Sequence, residues 1–182
     1  VIGGGMAGMA FAIYAAQRGH AVTLFEAKGE LGGQFNLAKN VPGKEEFIES
    51  LRYFTSELTR QNITVELNSR QSVESIKQAG FDEVILATGV VPRIPTIEGI
   101  DHPMVYNYQQ VLNGEAQIGK RVAVLGAGGI GYDISEFLTE QGPSHTVNLE
   151  LWLKEWGIDT QVSHPGGIEG VAPVRPESAR QI

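Results

Sequence analysis

Two glycine-rich motifs of identical spacing constrain the fold of this 182-residue chain more than any other feature. The run VIGGGMAG occupies residues 1–8, and the run VAVLGAGGIG occupies residues 122–131; both contain Gly-x-Gly-x-x-Gly. Each motif follows an apolar, strand-like run and precedes a helical pattern, which is the context of a dinucleotide-binding turn. Two such turns in one chain predict two bound nucleotides, usually a flavin and a nicotinamide that supplies it with hydride.

The chemistry of this motif is steric and electrostatic. Its first glycine permits a tight strand-to-helix turn, its second lets a pyrophosphate approach the backbone, and its third lets helix and strand pack closely. The helix N-terminus then offers free N–H groups and a partial positive charge to the phosphates. The candidate contacts are Gly3, Gly5, Met6, Ala7 and Gly8 in the first motif, and Gly126, Gly128, Gly129 and Gly131 in the second.

An acidic residue follows the first motif at the distance expected of a ribose ligand. Glu26 ends a β-rich run and lies 23 positions after Gly3, which fits the spacing at which a carboxylate accepts hydrogen bonds from ribose hydroxyls. A carboxylate repels a 2′-phosphate, so the first site is predicted to take FAD or NAD and not NADP. The alternative is a tight turn without a ligand; the preceding strand, the following helix and Glu26 favour the nucleotide site.

A third segment favours FAD at the first site. The run DEVILATG at residues 82–89 is an apolar strand that ends in Ala87, Thr88 and Gly89. It resembles the second signature of flavoproteins that bind two dinucleotides. Taken alone it would be an ordinary buried strand with a turn, but between two nucleotide motifs the flavin interpretation is better.

The pattern of elements predicts an α/β, Rossmann-like FAD/NAD(P)-binding fold, three-layered with a parallel sheet and a truncated second Rossmann unit. We assign an incomplete FAD-binding domain to residues 1–118 and the start of an NAD(P)-binding domain, with an irregular insertion, to residues 119–182. The predicted strands are 1–3, 21–25, 63–67, 84–87 and 121–125, and the predicted helices are 8–18, one with apolar positions from 47 to 58, 109–112 and 130–140.

Other segments lack a clear period. We expect a loop over residues 29–41, a return strand over 70–73, and irregular structure from 141 to 180. Trp152 and Trp156 are four residues apart and fit one face of a short helix, which we expect to pack as core. The alternative for this pair is a surface that docks another part of a larger protein.

Composition excludes several classes of function. The net charge of −7 has no basic block to offset it, which argues against a nucleic-acid partner. No apolar run approaches the roughly 20 residues of a membrane span. The chain has no cysteine, which disfavours a thioredoxin-reductase type of disulfide reductase and makes the cytoplasm the default location. The four histidines show no metal-ligand spacing, so no metal site is predicted.

We also expect the chain to be a fragment of a larger protein, with residues 178–182 beginning a second strand of the second unit.

Four short strings carry a more specific resemblance. They are ELGGQFN at 30–36, VPGKEEF at 41–47, GAGGIGYD at 126–133 and EWGID at 155–159. Together they resemble the bacterial NADPH-dependent 2,4-dienoyl-CoA reductase family over essentially the whole chain. Trimethylamine and histamine dehydrogenases share that architecture. The resemblance implies a longer oxidoreductase of fatty-acid β-oxidation, in which a barrel absent from this chain carries FMN, an iron–sulfur cluster and the acyl-CoA site.

The same resemblance implies further FAD contacts. Gln34 and Lys44 match the family strings, the isoalloxazine would rest near Gly33 and the Thr88–Gly89 turn, and Gln71 would reach the adenine through its backbone. Without the resemblance, Gln34 and Lys44 would be ordinary solvated residues. A lysine at a helix N-terminus opposes the helix dipole, so an anionic neighbour such as a phosphate would explain Lys44.

Three hypotheses about function stay open from the sequence. The leading one is an enzyme module that transfers hydride from NADPH to FAD, with no catalytic acid or base to nominate because the cofactors carry the chemistry. The second is a non-catalytic ADP- or FAD-binding module of a trimethylamine or histamine dehydrogenase-like protein. The third, compatible with the first, is that the isolated chain folds without its flavin. The predicted preference for NADPH over NADH rests on the resemblance alone. Arg180 is not evidence for it, because it lies near the start of the expected strand and the two nucleotides are distinguished at the end of that strand.

Overall fold

The computed structural model describes residues 1–162, 164–167 and 170–182. The chain forms two compact units, which do not follow the chain in order. The first unit comprises Val1–Lys39 and Glu46–Glu98, and the second comprises Asn40–Glu45 and Gly99–Ile182. A short segment early in the sequence therefore belongs to the second unit. The domain boundary placed after residue 118 stays a prediction.

The helices and strands are short. In the first unit the order is α1 (Met6–Gln17), β1 (Thr23–Phe25), α2 (Phe35–Ala38), α3 (Phe47–Arg60), β2 (Thr64–Glu66) and α4 (Val73–Ala79). The second unit contains α5 (Tyr108–Leu112), α6 (Gly129–Thr139) and α7 (Leu149–Trp156), with 3-10 turns at His145–Val147 and Pro165–Gly167.

The first unit is built on a parallel sheet. Strand β1 pairs with β2 in the register Thr23 with Thr64. On the other side of β1, Ile2 forms parallel bridges with both Phe25 and Leu86. The first residues of the chain therefore lie between β1 and the run that ends at Ala87. This neighbour relationship is that of a Rossmann-like sheet, and the predicted α/β class with a parallel sheet is confirmed.

The core of this unit forms where α1 and α3 cover the sheet. The buried side chains share an apolar character and come from α1, β1, α3 and the residue before β2: Met9, Ala12, Ile13, Leu24, Leu58 and Ile63. Helix α1 consists largely of small and apolar residues, which lets it pack closely behind the strand that precedes it. The residues on either side of the first glycine turn, Val1 and Met6, pack against this core.

The second unit repeats the beginning of this arrangement. Gln181 forms a parallel bridge with Arg121, and the N–H of Val122 donates to the Gln181 carbonyl at 2.9 Å. The end of the chain therefore pairs beside the segment that enters the second glycine motif, but only through this single bridge, so the strand predicted over residues 121–125 does not form and the one predicted to begin at 178–182 is limited to Gln181. The buried apolar side chains of this unit include Val41, Val111, Leu112, Ile134 and Leu138.

Three local predictions were wrong. Residues 70–73 do not return as a strand, because Ser72 caps helix α4 and Gly80 ends it in the left-handed conformation, with φ of +67°. The predicted loop 29–41 contains the short helix α2. The predicted irregular stretch contains α7, whose N-cap Asn148 accepts a hydrogen bond from the Leu151 N–H. For α7 the spacing of Trp152 and Trp156 had indicated the short helix, whereas for α4 only the polar cap supplied a signal.

The two tryptophans of α7 contact each other, with ring centroids 6.1 Å apart. Trp156 is 63% exposed, so the prediction that this residue packs as core is wrong. Among the residues that the structure describes, no helix is both long and apolar enough to cross a bilayer.

Candidate functional site

The first glycine motif forms a tight turn between helix α1 and the segment that pairs through isolated bridges at Ile2, so the strand predicted over residues 1–3 is reduced to these bridges. Gly3 has φ of +110°, a region that side chains disfavour, and a Cβ on Gly3 would overlap the carbonyl oxygen of Ala87. A Cβ on Gly8 would overlap the carbonyl oxygen of Gly3. Both positions therefore require glycine for backbone reasons, which is the steric part of the predicted motif.

The second motif has nearly the same backbone. Gly126 has φ of +116°, close to that of Gly3, and a Cβ on Gly131 would overlap the carbonyl oxygen of Gly126. Gly5 and Gly128 are the N-caps of α1 and α6, with φ/ψ of −74°/179° and −85°/−178°. Two sequences that differ at most other positions thus form the same turn, which supports one shared role.

The middle glycine of each motif is not required by the protein itself. The φ and ψ of Gly128 are extended and suit any residue, and a Cβ there would meet no atom within 4 Å. A Cβ on Gly5 would meet only the Cα of Gly33, at 3.9 Å. Open space over a backbone that needs no glycine leaves room for a ligand at the helix N-terminus. A dinucleotide pyrophosphate fits this space and its chemistry.

The helix starts support the same interpretation. Neither α1 nor α6 has a side-chain N-cap hydrogen bond. Helices α4, α5 and α7 are capped by Ser72, Asn107 and Asn148, whereas α2 and α3 also lack a side-chain cap. The first N–H groups of a helix need partners from outside it. Met6 and Ala7 begin α1 and Gly129 begins α6, so the predicted N–H donors lie at these uncapped ends.

Glu26 holds the first turn in place. Its Oε2 accepts a hydrogen bond from the Gly4 N–H at 2.7 Å, and its Oε1 accepts one from the Lys28 N–H at 2.8 Å. Each carboxylate oxygen has a second lone pair, so these bonds leave Glu26 able to accept a ribose hydroxyl. The predicted ribose ligand therefore also organises the turn beneath the nucleotide.

The run that ends in Ala-Thr-Gly reaches the first motif. The Ala87 N–H donates to the Ile2 carbonyl at 2.8 Å. A Cβ on Gly8 would lie 3.4 Å from the Cβ of Ala87. Gly89 turns the chain with φ of +71° directly after Thr88. The structure thus brings the predicted residues Ala87, Thr88 and Gly89 to the first glycine turn.

The segment before α2 closes on the other side of the same turn. Gly5 and Gly32 form a parallel bridge, and the Gly32 N–H donates to the Gly4 carbonyl at 2.8 Å. A Cβ on Gly33, whose φ is +53°, would lie 3.1 Å from the Gly5 Cα. The predicted residue Gln34 follows, and its Nε2 lies 3.5 Å from the Val90 carbonyl oxygen. Gly33 and Gln34 therefore lie beside the first motif.

Sequence reasoning missed two glycines of this site. A Cβ on Gly4 would lie 2.5 Å from a methyl carbon of Leu31 and 3.0 Å from the Cβ of Glu26. Gly32 has φ of +119°, and a Cβ there would lie 2.6 Å from a methyl carbon of Leu51. The paired glycines in GGG and in LGGQ were the available signal, because the motif spacing accounts for only some of them.

Lys44 lies in the second unit, where its partner is a carboxylate. Its Nζ lies 2.7 Å from both carboxylate oxygens of Asp133. Asp133 is on α6, the helix that begins in the second glycine motif. The anionic neighbour expected for Lys44 is thus present as a protein side chain, and the FAD contact predicted for Lys44 stays a prediction.

Gln71 directly precedes Ser72, the N-cap of α4. Its Nε2 donates to the Ser69 hydroxyl at 2.8 Å, and its Oε1 accepts from the Ser75 hydroxyl at 2.9 Å. The side chain is thus occupied locally, and the predicted adenine contact involves only its backbone.

The second unit also holds a small group of titratable side chains. Nδ1 of His145 lies 2.8 Å from Oε2 of Glu155. Burial raises the pKa of the Glu140 carboxyl, and the charges of Glu45 and Glu136 act in the same direction, while His145 opposes them. Within the described part of the chain, no three histidine, aspartate or glutamate residues are grouped so as to hold a metal ion.

Comparison with known proteins identifies the class of this fold and site. The chain belongs to the pyridine nucleotide-disulphide oxidoreductase family, whose model matches residues 1–151. The match covers both glycine motifs and implies FAD and NAD(P) as cofactors. Because the chain has no cysteine, its membership rests on the nucleotide-binding fold and not on a cysteine pair.

Several characterised reductases are similar to the chain. The bilirubin reductase of Mediterraneibacter gnavus is 42% identical over 78% of this chain and 22% of its own length. The cinnamate reductase of Clostridium sporogenes is 39% identical over 81% of this chain and 22% of its own length. A solved structure of 2-naphthoyl-CoA reductase with 2-naphthoyl-CoA has a TM-score of 0.72 and 34% identity, over 75% of this chain and 21% of that one.

The chain thus spans 22% of the length of these two curated relatives. The resemblance noted from the sequence is confirmed at the level of the family and of its reductase relatives.

Proposed function

We propose that this chain is the FAD- and NADPH-binding region of a longer flavin-dependent reductase that resembles 2,4-dienoyl-CoA reductase. The observation that carries the proposal is the shared backbone of the two glycine turns, with Gly3 and Gly126 at φ of +110° and +116°. Two equivalent turns supply two pyrophosphate sites. With both nucleotides bound, the flavin supplies an acceptor for the nicotinamide hydride.

The residues of the first turn would hold FAD. Met6 and Ala7 are the first two residues of α1, so their N–H groups lie at its uncapped start. Glu26, which accepts a hydrogen bond from the Gly4 N–H, would also accept one from a ribose hydroxyl. Gly33, Gln34 and the Ala87–Gly89 turn lie beside this motif and would border the rest of the cofactor. The chain's contribution is to bind and orient the cofactor on a rigid turn, since no side chain is needed as acid or base.

The residues of the second turn would hold NADPH. Gly128 leaves open space for the pyrophosphate, and Gly129 and Ile130 open helix α6 with free N–H groups. The preference for NADPH over NADH rests on the resemblance to the reductase family.

The substrate class follows from the relatives. Bilirubin, cinnamate and 2-naphthoyl-CoA, the compounds that name the related reductases, are conjugated molecules. This pattern supports the inference that the whole protein reduces a conjugated carbon–carbon double bond. An unsaturated acyl-CoA is the leading candidate for its substrate. FMN, an iron–sulfur cluster and the substrate barrel would lie in the part of the protein outside this chain.

The test is anaerobic reduction of the flavin by NADPH in the whole protein, followed by absorbance. Gly128→Val adds a side chain where the protein has open space, so the fold should persist while the pyrophosphate is blocked. We expect flavin bleaching to slow at least about tenfold. A tenfold change corresponds to a free-energy difference of about 1.4 kcal/mol. Gly119→Val is the matched control, because a Cβ there also meets nothing within 4 Å.

Two results would reject the proposal. One is bleaching by NADPH at the wild-type rate in the Gly128 variant. The other is a protein that retains FAD or ADP but is not reduced by either NADPH or NADH, which would support the non-catalytic nucleotide-binding module instead. The isolated 182-residue chain provides a further comparison: we expect it to be colourless after purification.

A further inference from the structure

Helix α7 carries an apolar stripe that the described part of the chain leaves largely exposed. The α7 stripe consists of Leu149, Trp152 and Trp156, whose i, i+3 and i+7 spacing places them on one face of the helix. Leu149 is 70% exposed and Trp156 is 63% exposed, and the two tryptophan rings contact each other. Contiguous exposed apolar side chains, tryptophan above all, are typical of the anchors of a protein interface.

The helix that presents the stripe is fixed at both ends. Asn148 caps its start by accepting a hydrogen bond from the Leu151 N–H at 3.1 Å, and Gly157 ends it with φ of +65°. The Val174 N–H donates to the Lys154 carbonyl at 3.1 Å, which ties a later segment to the last turn. The exposure of the stripe is therefore that of an ordered surface, and a pre-organised surface loses little conformational entropy when it docks.

Comparison with longer proteins indicates what covers this surface. The match to the family model ends at residue 151, within α7, so the general nucleotide-binding fold does not account for this helix. The NADH oxidase of Thermoanaerobacter brockii is 38% identical over 88% of this chain and 25% of its own length. A match of that extent must include residues 149–156. Helix α7 is thus shared with a much longer protein and extends beyond the shared family fold.

We propose that the α7 stripe docks into an apolar pocket on the part of the same polypeptide that lies outside these 182 residues. The inference rests on the function proposed above, in which this chain is one region of a longer reductase. The pocket would be uncharged at its centre, because tryptophan anchors bind where water is excluded. Lys154, which is exposed and lies on the opposite face of the helix, would stay in solvent.

The experiment is hydroxyl-radical footprinting of the whole protein, with oxidation of Trp156 measured by mass spectrometry. With the stripe docked, we expect Trp156 to be protected as a buried tryptophan is, despite its exposure in this chain. Leu149→Ser removes one anchor and keeps both tryptophans as reporters. In this variant the undocked population should grow, so Trp156 should be oxidised at least about fivefold faster.

Lys154→Ser is the matched control, because it changes an exposed residue of the same helix on the face away from the stripe. We expect it to leave the oxidation of Trp156 unchanged. A surface that docks nothing would give the same result for both variants, since substitutions at exposed positions change stability little.

Three results would overturn the proposal. The first is a wild-type whole protein in which Trp156 is oxidised as fast as an exposed tryptophan. The second is equal protection of Trp156 in the wild type and in Leu149→Ser. The third is protection that disappears on dilution as sedimentation shows a dimer dissociating, which would identify a second copy of the protein as the occupant.

Reduction of the flavin by NADPH is measured on the same wild-type preparation. Protection of Trp156 in a protein whose flavin NADPH does not reduce would reject the proposed hydride transfer and leave the docking in place. Reduction of the flavin with Trp156 exposed would reject the docking alone.

Discussion

The backbone N–H of Gly4 donates a hydrogen bond of 2.7 Å to Oε2 of Glu26, 22 residues further along the chain. The other oxygen of Glu26 accepts from the Lys28 N–H. One carboxylate thus joins the first glycine turn to the end of β1. The side chain predicted to bind ribose is also part of the scaffold that presents the pyrophosphate loop.

Glu26→Gln should destabilise the protein and weaken flavin binding together. A glutamine keeps one oxygen but turns an NH₂ group toward one of two backbone N–H donors, leaving that donor without an acceptor. The expected loss is about 1–3 kcal/mol in the free energy of unfolding. Chemical denaturation checks it, with Glu30→Gln as the control, since Glu30 is exposed and lies only four residues further along the chain. Equal stability of the two variants would contradict the role of Glu26.

The glycines of the second motif should respond differently to alanine. Gly131→Ala places a Cβ against the carbonyl oxygen of Gly126, and the backbone must move; overpacking of this kind costs about 1–3 kcal/mol. Gly128→Ala meets open space, so its stability should change by less than about 1 kcal/mol. Thermal unfolding separates them. If Gly131→Ala were as stable as Gly128→Ala, the close approach would not constrain the fold.

The left-handed glycines at the ends of α4 and α7 form another matched pair. Gly80→Ala adds only the conformational cost, about 1–2 kcal/mol, because its Cβ would meet nothing within 4 Å. At Gly157 the Cβ would also lie 2.7 Å from the Pro173 nitrogen. Gly157→Ala should therefore destabilise the second unit by at least about 1 kcal/mol more than Gly80→Ala destabilises the first. Denaturant unfolding curves provide the comparison, and an equal loss would count against the packing of Pro173 on α7.

Glu140 should make stability depend on pH. Burial raises its pKa in the folded protein, so the folded state holds this proton more tightly than the unfolded state does. Stability therefore falls as the pH rises from the unfolded pKa, about 4.3, through the higher folded pKa. Glu140→Gln removes this cost. At pH 7 it should raise the free energy of unfolding by less than about 1 kcal/mol, and the melting temperature should rise accordingly.

The pH profile of that variant is the decisive measurement. Near pH 4 the wild-type carboxyl is mostly protonated in both states, so most of the advantage of Glu140→Gln should disappear. Glu150→Gln, an exposed change on α7, controls for the altered net charge. An advantage that is the same at pH 4 and pH 7 would show that burial of the charge is not its cause.

The sequence predicted the parts of the site that depend on neighbouring residues. The two glycine motifs specify their turns because a positive φ and the absence of room for a Cβ are local requirements. The parallel sheet followed from the same strand-turn-helix pattern. The helix α4 was missed because its apolar period is weak, and only the cap at Ser72 and the glycine at position 80 mark its ends.

The sequence by itself therefore determined the fold class, the two nucleotide turns and the acid at the end of β1. Only the tertiary structure decided which unit holds residues 40–45, that Lys44 pairs with Asp133, and that Trp156 is exposed. The physical reason is the range of the interactions. A turn is set by steric limits within a few residues, whereas an ion pair across 89 positions depends on how separate segments pack.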